Sequence, residues 1–136
     1  MRNQISERVI DFVANVLKMV NKLPAKTISS KLSDQLVRSS ASVGANYEEA
    51  QAAESKKDFV HKLQVSLKEM RETYYWIRVL QKLSTEPSEF SAIIDEARQL
   101  RAILSKSVAT AKGKAKPAGT HADISKLSPE TFSSPI

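Results

Sequence analysis

The side chains able to do covalent or metal chemistry are few. The chain has two histidines and no cysteine, so thiolate nucleophiles, thiolate metal sites and disulfides are excluded. Asp58 and His61 stand three residues apart, on one face of any helix that contains them, faintly like the E-x-x-H element of carboxylate-bridged metal bundles. Such a centre needs a second copy of the element and further inward carboxylates. The other histidine, His121, lies in a stretch without periodicity, so His61 is read as a surface residue. Glu48, Glu49 and Glu54 group carboxylates suited to acid–base work, but no positioned partner accompanies them. They read as helix surface, or as an ion-pair strip facing basic neighbours. Serines abound without a nucleophile-elbow or S-x-x-K arrangement, and no glycine-rich phosphate loop is present. The expectation is a protein without catalytic, cofactor or metal residues.

The organised chemistry is cationic. Lys57, Gln64, Lys68, Arg71, Tyr75, Arg78 and Lys82 fall on one side of a helix when each residue turns by about 100°. Asp58, Glu69 and Glu72 project elsewhere. From Lys57 to Lys82, at about 1.5 Å per residue, the line runs nearly 40 Å, long enough to follow several phosphates. The net charge is +6, and the basic excess is not confined to the tail: 17 Lys/Arg face 13 Asp/Glu through residue 111, and 4 face 2 beyond it. This balance favours a polyanionic partner through counterion release. Lys57, Lys68, Arg71, Arg78 and Lys82 are candidate phosphate contacts, with Tyr75 available for stacking. The alternative is an ordinary solvated helix face.

The elements that must position this line read as helices. Glycine and aromatics are scarce, and Ala, Leu, Lys, Ser, Gln and Glu dominate. A first helix over about 4–23 places Ile5, Val9, Phe12, Val13, Val16, Val20 and Leu23 on one face, and Pro24 ends it. A second, over about 27–53 with Thr27 as N-cap, buries Ile28, Leu32, Leu36, Val43 and Tyr47. Its Ser39–Ala45 stretch is small, and Gly44 marks either a weak point or kink, or the close approach of a neighbouring backbone, the latter preferred. Arg38 and Asn46 are placed to hydrogen-bond across that surface.

Ser55-x-x-Asp58 has capping-box form and starts a third helix over about 56–84, although a continuous helix through Glu54 is an alternative. Val60, Leu63, Leu67, Met70, Tyr74 and Ile77 form its core seam. Val65, Trp76, Val79, Leu80 and Leu83 lie on roughly the opposite side. A helix apolar on two sides needs either surrounding helices or a second subunit, and Val65, Trp76, Val79 and Leu83 are the candidate oligomer contacts. A fourth helix over about 88–111 carries Phe90, Ile93, Ala97, Leu100, Leu104, Val108 and Ala111, broadened by Ile94 and Ile103. Residues 112–136 read as a disordered basic tail. The expectation is an all-α, antiparallel up-down-up-down four-helix bundle over 1–111. No signal-peptide core and no apolar run of bilayer-spanning length is evident, so a cytoplasmic protein without a membrane partner is expected.

The central stretch is more specific than this. Gln35-Leu36-Arg38-Ser39 with Ser42, Gly44-Ala45-Asn46-Tyr47-Glu49-Ala50, Glu54-Ser55-Lys56-Lys57-Asp58-Phe59, Leu67-Lys68-Glu69, Glu72-Thr73 and Tyr75-Trp76 closely resemble the centre of the bacterial four-helix-bundle family of 23S rRNA intervening sequence proteins, also called S23 ribosomal proteins. The resemblance implies a small bundle able to form a ring-like homopentamer. It also implies kinship with the accessory protein of diversity-generating retroelements, a basic pentameric barrel that binds nucleic acid and a reverse transcriptase. Many relatives have arginine where this chain has Glu48, which removes a positive charge from the second helix but leaves the third-helix stripe intact. The functional expectation is a non-catalytic, oligomeric nucleic-acid-binding protein for structured RNA or an RNA/DNA-handling complex. The alternative is a homo-oligomeric adaptor for an acidic protein partner, without direct nucleic-acid binding.

Overall fold

The computed structural model of the chain describes residues 4–113. The expected disordered tail falls, from residue 114 onward, outside them. Four helices account for most of what is described: α1 (Gln4–Asn21), α2 (Thr27–Gln51), α3 (Lys56–Leu83) and α4 (Ser91–Ala111), with a single 3-10 turn, Pro87–Phe90, leading into α4. Short connections reverse the chain between successive helices, giving the expected all-α four-helix bundle.

Each boundary has a local cause. The amides of Lys22 and Leu23 donate to the carbonyls of Met19 and Val20, both at 3.1 Å, tightening the end of α1 before Pro24. Lys26, not Thr27, occupies the N-cap of α2: its backbone is already extended (φ −104°, ψ 149°), so the turn into the helix comes one residue earlier than the side-chain chemistry suggests. The break between α2 and α3 is real. Ser55 is extended, and its Oγ accepts the Asp58 amide at 3.1 Å. Pro87 sits at the start of the 3-10 turn, where its missing N–H costs nothing.

The core draws on all four helices. Phe12, Leu36, Phe59, Leu63, Met70, Ile77, Leu100 and Leu104 are fully buried, and each such side chain stabilises the fold by on the order of 1.5–3 kcal/mol. Two sequence expectations are corrected. Ile28 is 69 % exposed rather than buried, because it lies in the first turn of α2 and roughly 80° around the helix from Leu36. Leu80 belongs to the core, not to the second apolar stripe, since it stands one and two heptads after Thr73 and Ser66, whose side chains face α2.

Around the bundle, α1, α2, α3 and α4 neighbour one another in turn; α2 on α3 is the most extensive contact and α1 against α4 among the slightest. The α2–α3 seam is narrow because its residues are small and their hydroxyls find partners. Ser66 Oγ donates to the Val43 carbonyl at 2.9 Å, tying an α3 side chain to the α2 backbone. Thr73 Oγ1 lies 2.8 Å from both Ser39 Oγ and the Glu69 carbonyl, and Ser39 Oγ donates to the Leu36 carbonyl at 3.2 Å. Buried hydroxyls are tolerated here only because they are bonded.

Gly44 meets α1 instead. A Cβ there would stand 3.4 Å from Val13 Cγ2 and 3.9 Å from Val9 Cγ1, ordinary contact distances. What faces Gly44 is thus the tips of two valine side chains, not the close neighbouring backbone expected at this glycine, and there is room for one methyl. Gly44→Ala should raise stability by about 0.5–1 kcal/mol through helix propensity, whereas Thr73→Val should lower it by about 0.5–1.5 kcal/mol by removing the hydroxyl that links Ser39 Oγ and the Glu69 carbonyl. Urea denaturation of the two variants checks both signs.

Candidate nucleic-acid interface

Charge on the outside of α3 is sorted by what α2 and α4 bring beside it. On the α2 side the acids are occupied. Arg38 Nη1 donates to Glu69 Oε1 at 3.2 Å, and Arg38 Nη2 is paired with Glu72. Glu72 Oε2 also accepts the Trp76 indole N–H at 3.0 Å, and Lys62 Nζ reaches Glu49 Oε1 at 2.6 Å. Arg38 thus crosses to α3 as expected. Asn46 does not: its Nδ2 turns back to the Ser42 carbonyl and hydroxyl of its own helix, at 2.9 and 3.1 Å. The indole N–H, then the Arg38 guanidinium, hold the Glu72 carboxyl below its ordinary range.

On the face turned from α2, Lys57, Lys68, Arg71, Tyr75 and Lys82 are exposed together. Lys57, Arg71 and Lys82 pair with no carboxylate among the described residues, while Lys68 lies near enough to Glu72 to help lower its pKa. Tyr75 is 58 % exposed, with its ring edge-on to Trp76 at 5.0 Å between centroids. Its open face suits base stacking.

Arg78 departs from this row. It is half-buried, and its Nη1 donates to the Tyr74 hydroxyl at 3.2 Å. Two arginines of α4 join it there: Arg98 Nη2 lies 3.5 Å from the same hydroxyl, and the Arg101 guanidinium stands over the Tyr74 ring, 4.4 Å from its centroid. The Arg78 and Arg98 hydrogen bonds, in that order, push the Tyr74 phenol below the usual tyrosine range. The sequence reading missed Arg98 and Arg101. Their i, i+3 spacing on the α3-facing flank of α4 is the available signal, but only the packing shows that this flank meets the stripe.

The four candidate oligomer contacts separate. Val65 and Val79 are half-buried at the surface of α3, and Trp76 packs against the core while bonding Glu72. Leu83 is 59 % exposed and borders a cleft of about 840 Å³ between the C-terminal end of α1 and the start of α4. Lys18, Lys22 and Lys26 line it together with Glu86, Glu89 and Glu96. Further exposed apolar side chains, Ile10 and Leu17, stand one heptad apart on α1. His61 is exposed, and no group of three or more His, Asp or Glu side chains is placed to hold a metal among the described residues. Nor is any described helix long and apolar enough to cross a membrane.

The model of the 23S rRNA-intervening sequence protein family matches residues 1–106. This chain belongs to that family. The match takes in α1 to α3, the α2–α3 seam and both arginines of α4, so every residue of the basic face lies within the family region. Among solved structures, the chain is similar to the crystal structure of a protein of unknown function from the S23 ribosomal protein family of Bacteroides thetaiotaomicron. That match has 26% identity and a TM-score of 0.66, over 76% of this chain and 97% of that one. No curated protein matches the chain.

Because Trp76 is the only tryptophan, its emission reports the bond to Glu72. The carboxyl is depressed from 4.5 in the folded protein, so the stabilisation is fully present above that value and is lost as pH falls through the lower, folded one. Acid titration should shift Trp76 fluorescence below pH 4.5, and Glu72→Gln should remove that transition.

Proposed function

We propose that this family member is a non-catalytic nucleic-acid-binding protein that grips structured RNA, or an RNA/DNA hybrid, through its phosphates. One observation carries the reading: Lys57, Lys68, Arg71 and Lys82 share one exposed face of α3 while Glu69 and Glu49 are engaged by cations on the α2 side. A face with cations left over after internal pairing attracts polyanions, and lysine and arginine without a shaped base pocket favour backbone contact over base readout. Tyr75 adds a sequence-tolerant stacking surface. The family's description as intervening-sequence proteins of 23S rRNA is compatible with such a ligand. In this reading the protein assembles into a homo-oligomer, a pentameric ring being the form the family resemblance suggests. A reverse transcriptase is a candidate protein partner, and the protein acts in the cytoplasm.

A second reading is favoured by the apolar side chains at the surface. Ile10, Leu17, Ile28 and Leu83 are all more than 40 % exposed, apolar side chains that a subunit or partner contact would cover. Here the protein is an assembly adaptor, and the basic face receives an acidic protein.

Binding to a structured RNA should weaken steeply with salt. The double variant Lys68→Glu/Arg71→Glu should lose at least about tenfold in affinity at unchanged helicity, in line with phosphate contacts that each add to the salt slope. Gel-shift titration at two ionic strengths measures this, and undiminished binding by the variant removes the α3 face from the model. Multi-angle light scattering addresses both readings: each expects an oligomer at micromolar concentration, and a monomer there defeats the adaptor reading and the assembled form of the first.

A further inference from the structure

Three guanidinium groups converge on Tyr74. Arg78 and Arg98 both reach its hydroxyl, at 3.2 and 3.5 Å, so their donor nitrogens lie within about 7 Å of each other. Arg101 covers the ring. Like charges do not gather at this range unless something opposes their repulsion, and among the described residues the one carboxylate that pairs with any of the three is Asp95, at the far edge of Arg98. Glu96 accepts two hydrogen bonds from Arg8, at 3.0 and 2.7 Å, and Asp95 accepts from Gln99 at 2.8 Å while standing 3.9 Å from Arg98.

The donors themselves are underused. A guanidinium over an aromatic ring is attracted through its face and keeps its in-plane N–H groups for other acceptors. Arg101 has no hydrogen bond or ion pair among the described residues. The Nε–H of Arg78 is shielded from solvent with no acceptor, an arrangement that ordinarily signals a missing partner. Two donor nitrogens some 7 Å apart or less can be bridged by one tetrahedral oxyanion whose oxygens each accept at about 2.7–2.9 Å.

We infer that Arg78, Arg98 and Arg101, gathered over Tyr74 between α3 and α4, form a seat for a single phosphate group. As a polynucleotide contact the seat rests on the nucleic-acid reading above, adding one backbone phosphate at the α4 edge of the α3 face. As a site for a free phosphate ester it does not depend on that reading. The Tyr74 hydroxyl acts as positioning group, because it orients two of the three arginines.

The test uses the full chain labelled with 3-fluorotyrosine, inorganic phosphate as probe, and Tyr74→Phe to assign the resonances. Phosphate should shift the Tyr74 fluorine signal saturably, chloride at equal ionic strength should not, and buried Tyr47 should stay fixed as a folding control. Arg98→Gln/Arg101→Gln should abolish the shift. Arg98→Lys/Arg101→Lys, which keeps the charge and guards against misfolding, should retain a shift at several-fold weaker affinity because the planar fork is lost. A Tyr74 signal indifferent to phosphate overturns the seat, whether or not RNA binds. If the seat responds, RNA affinity identifies its natural source. About tenfold weaker binding by the glutamine variant, with a salt slope reduced by about one, assigns a backbone phosphate. RNA binding equal to wild type assigns a free phosphate ester, and a wild-type protein that takes up phosphate but no RNA upholds the seat while refuting the nucleic-acid reading.

Discussion

Ser66 of α3 lies close enough to α2 to donate to the main-chain carbonyl of Val43 at 2.9 Å, and the rest of the bundle depends on that spacing. The distance is set by small residues. Ser39, Ser40, Ser66 and Thr73 are all buried, and the hydroxyls find acceptors in the two helices. Larger apolar residues at these positions would fill the same seam only by separating the helices. With α2 and α3 held together, Arg38 reaches Glu69 and Glu72, and Lys62 reaches Glu49.

Those ion pairs are partly exposed, and such pairs typically contribute between about 0 and 1 kcal/mol. Against a core in which each buried aliphatic or aromatic side chain contributes more than that, they are minor terms in stability. Their larger effect is on the field around the molecule. Arg38 occupies carboxylates that would otherwise spread negative potential around α3, so the cations of the opposite face are not neutralised from that side. On the other flank, α4 adds Arg98 and Arg101 without bringing an equal number of free acids. The asymmetry of charge on α3 thus follows from which helix lies on each side of it.

Apolar surface is divided in a similar way. The core takes Leu80 and part of Trp76. Ile10, Leu17, Ile28 and Leu83 remain at the surface on three different helices. Belonging to the intervening-sequence protein family goes with the bundle architecture, and the apolar and basic surfaces are laid over it.

By itself the sequence determined the number and kind of elements, because helix periodicity, proline stops and the Ser55–Asp58 cap act over a few residues and need no distant partner. It also determined the linear order of cations on α3, which is a property of one helix. Local pattern was misleading where burial depends on a neighbour: Ile28 has core chemistry but lies in the exposed first turn of α2, and Leu80, grouped by type with the outer stripe, is buried in the core. Only the tertiary structure decided that Asn46 bonds within its own helix while Arg38 crosses to the next. It also brought Arg98 and Arg101, twenty and more residues away in sequence, around Tyr74. The physical reason is the same in each case. Hydrogen bonds and charge interactions act over a few ångströms, and which groups come within that range is set by how the helices pack, which a single helix's periodicity does not encode.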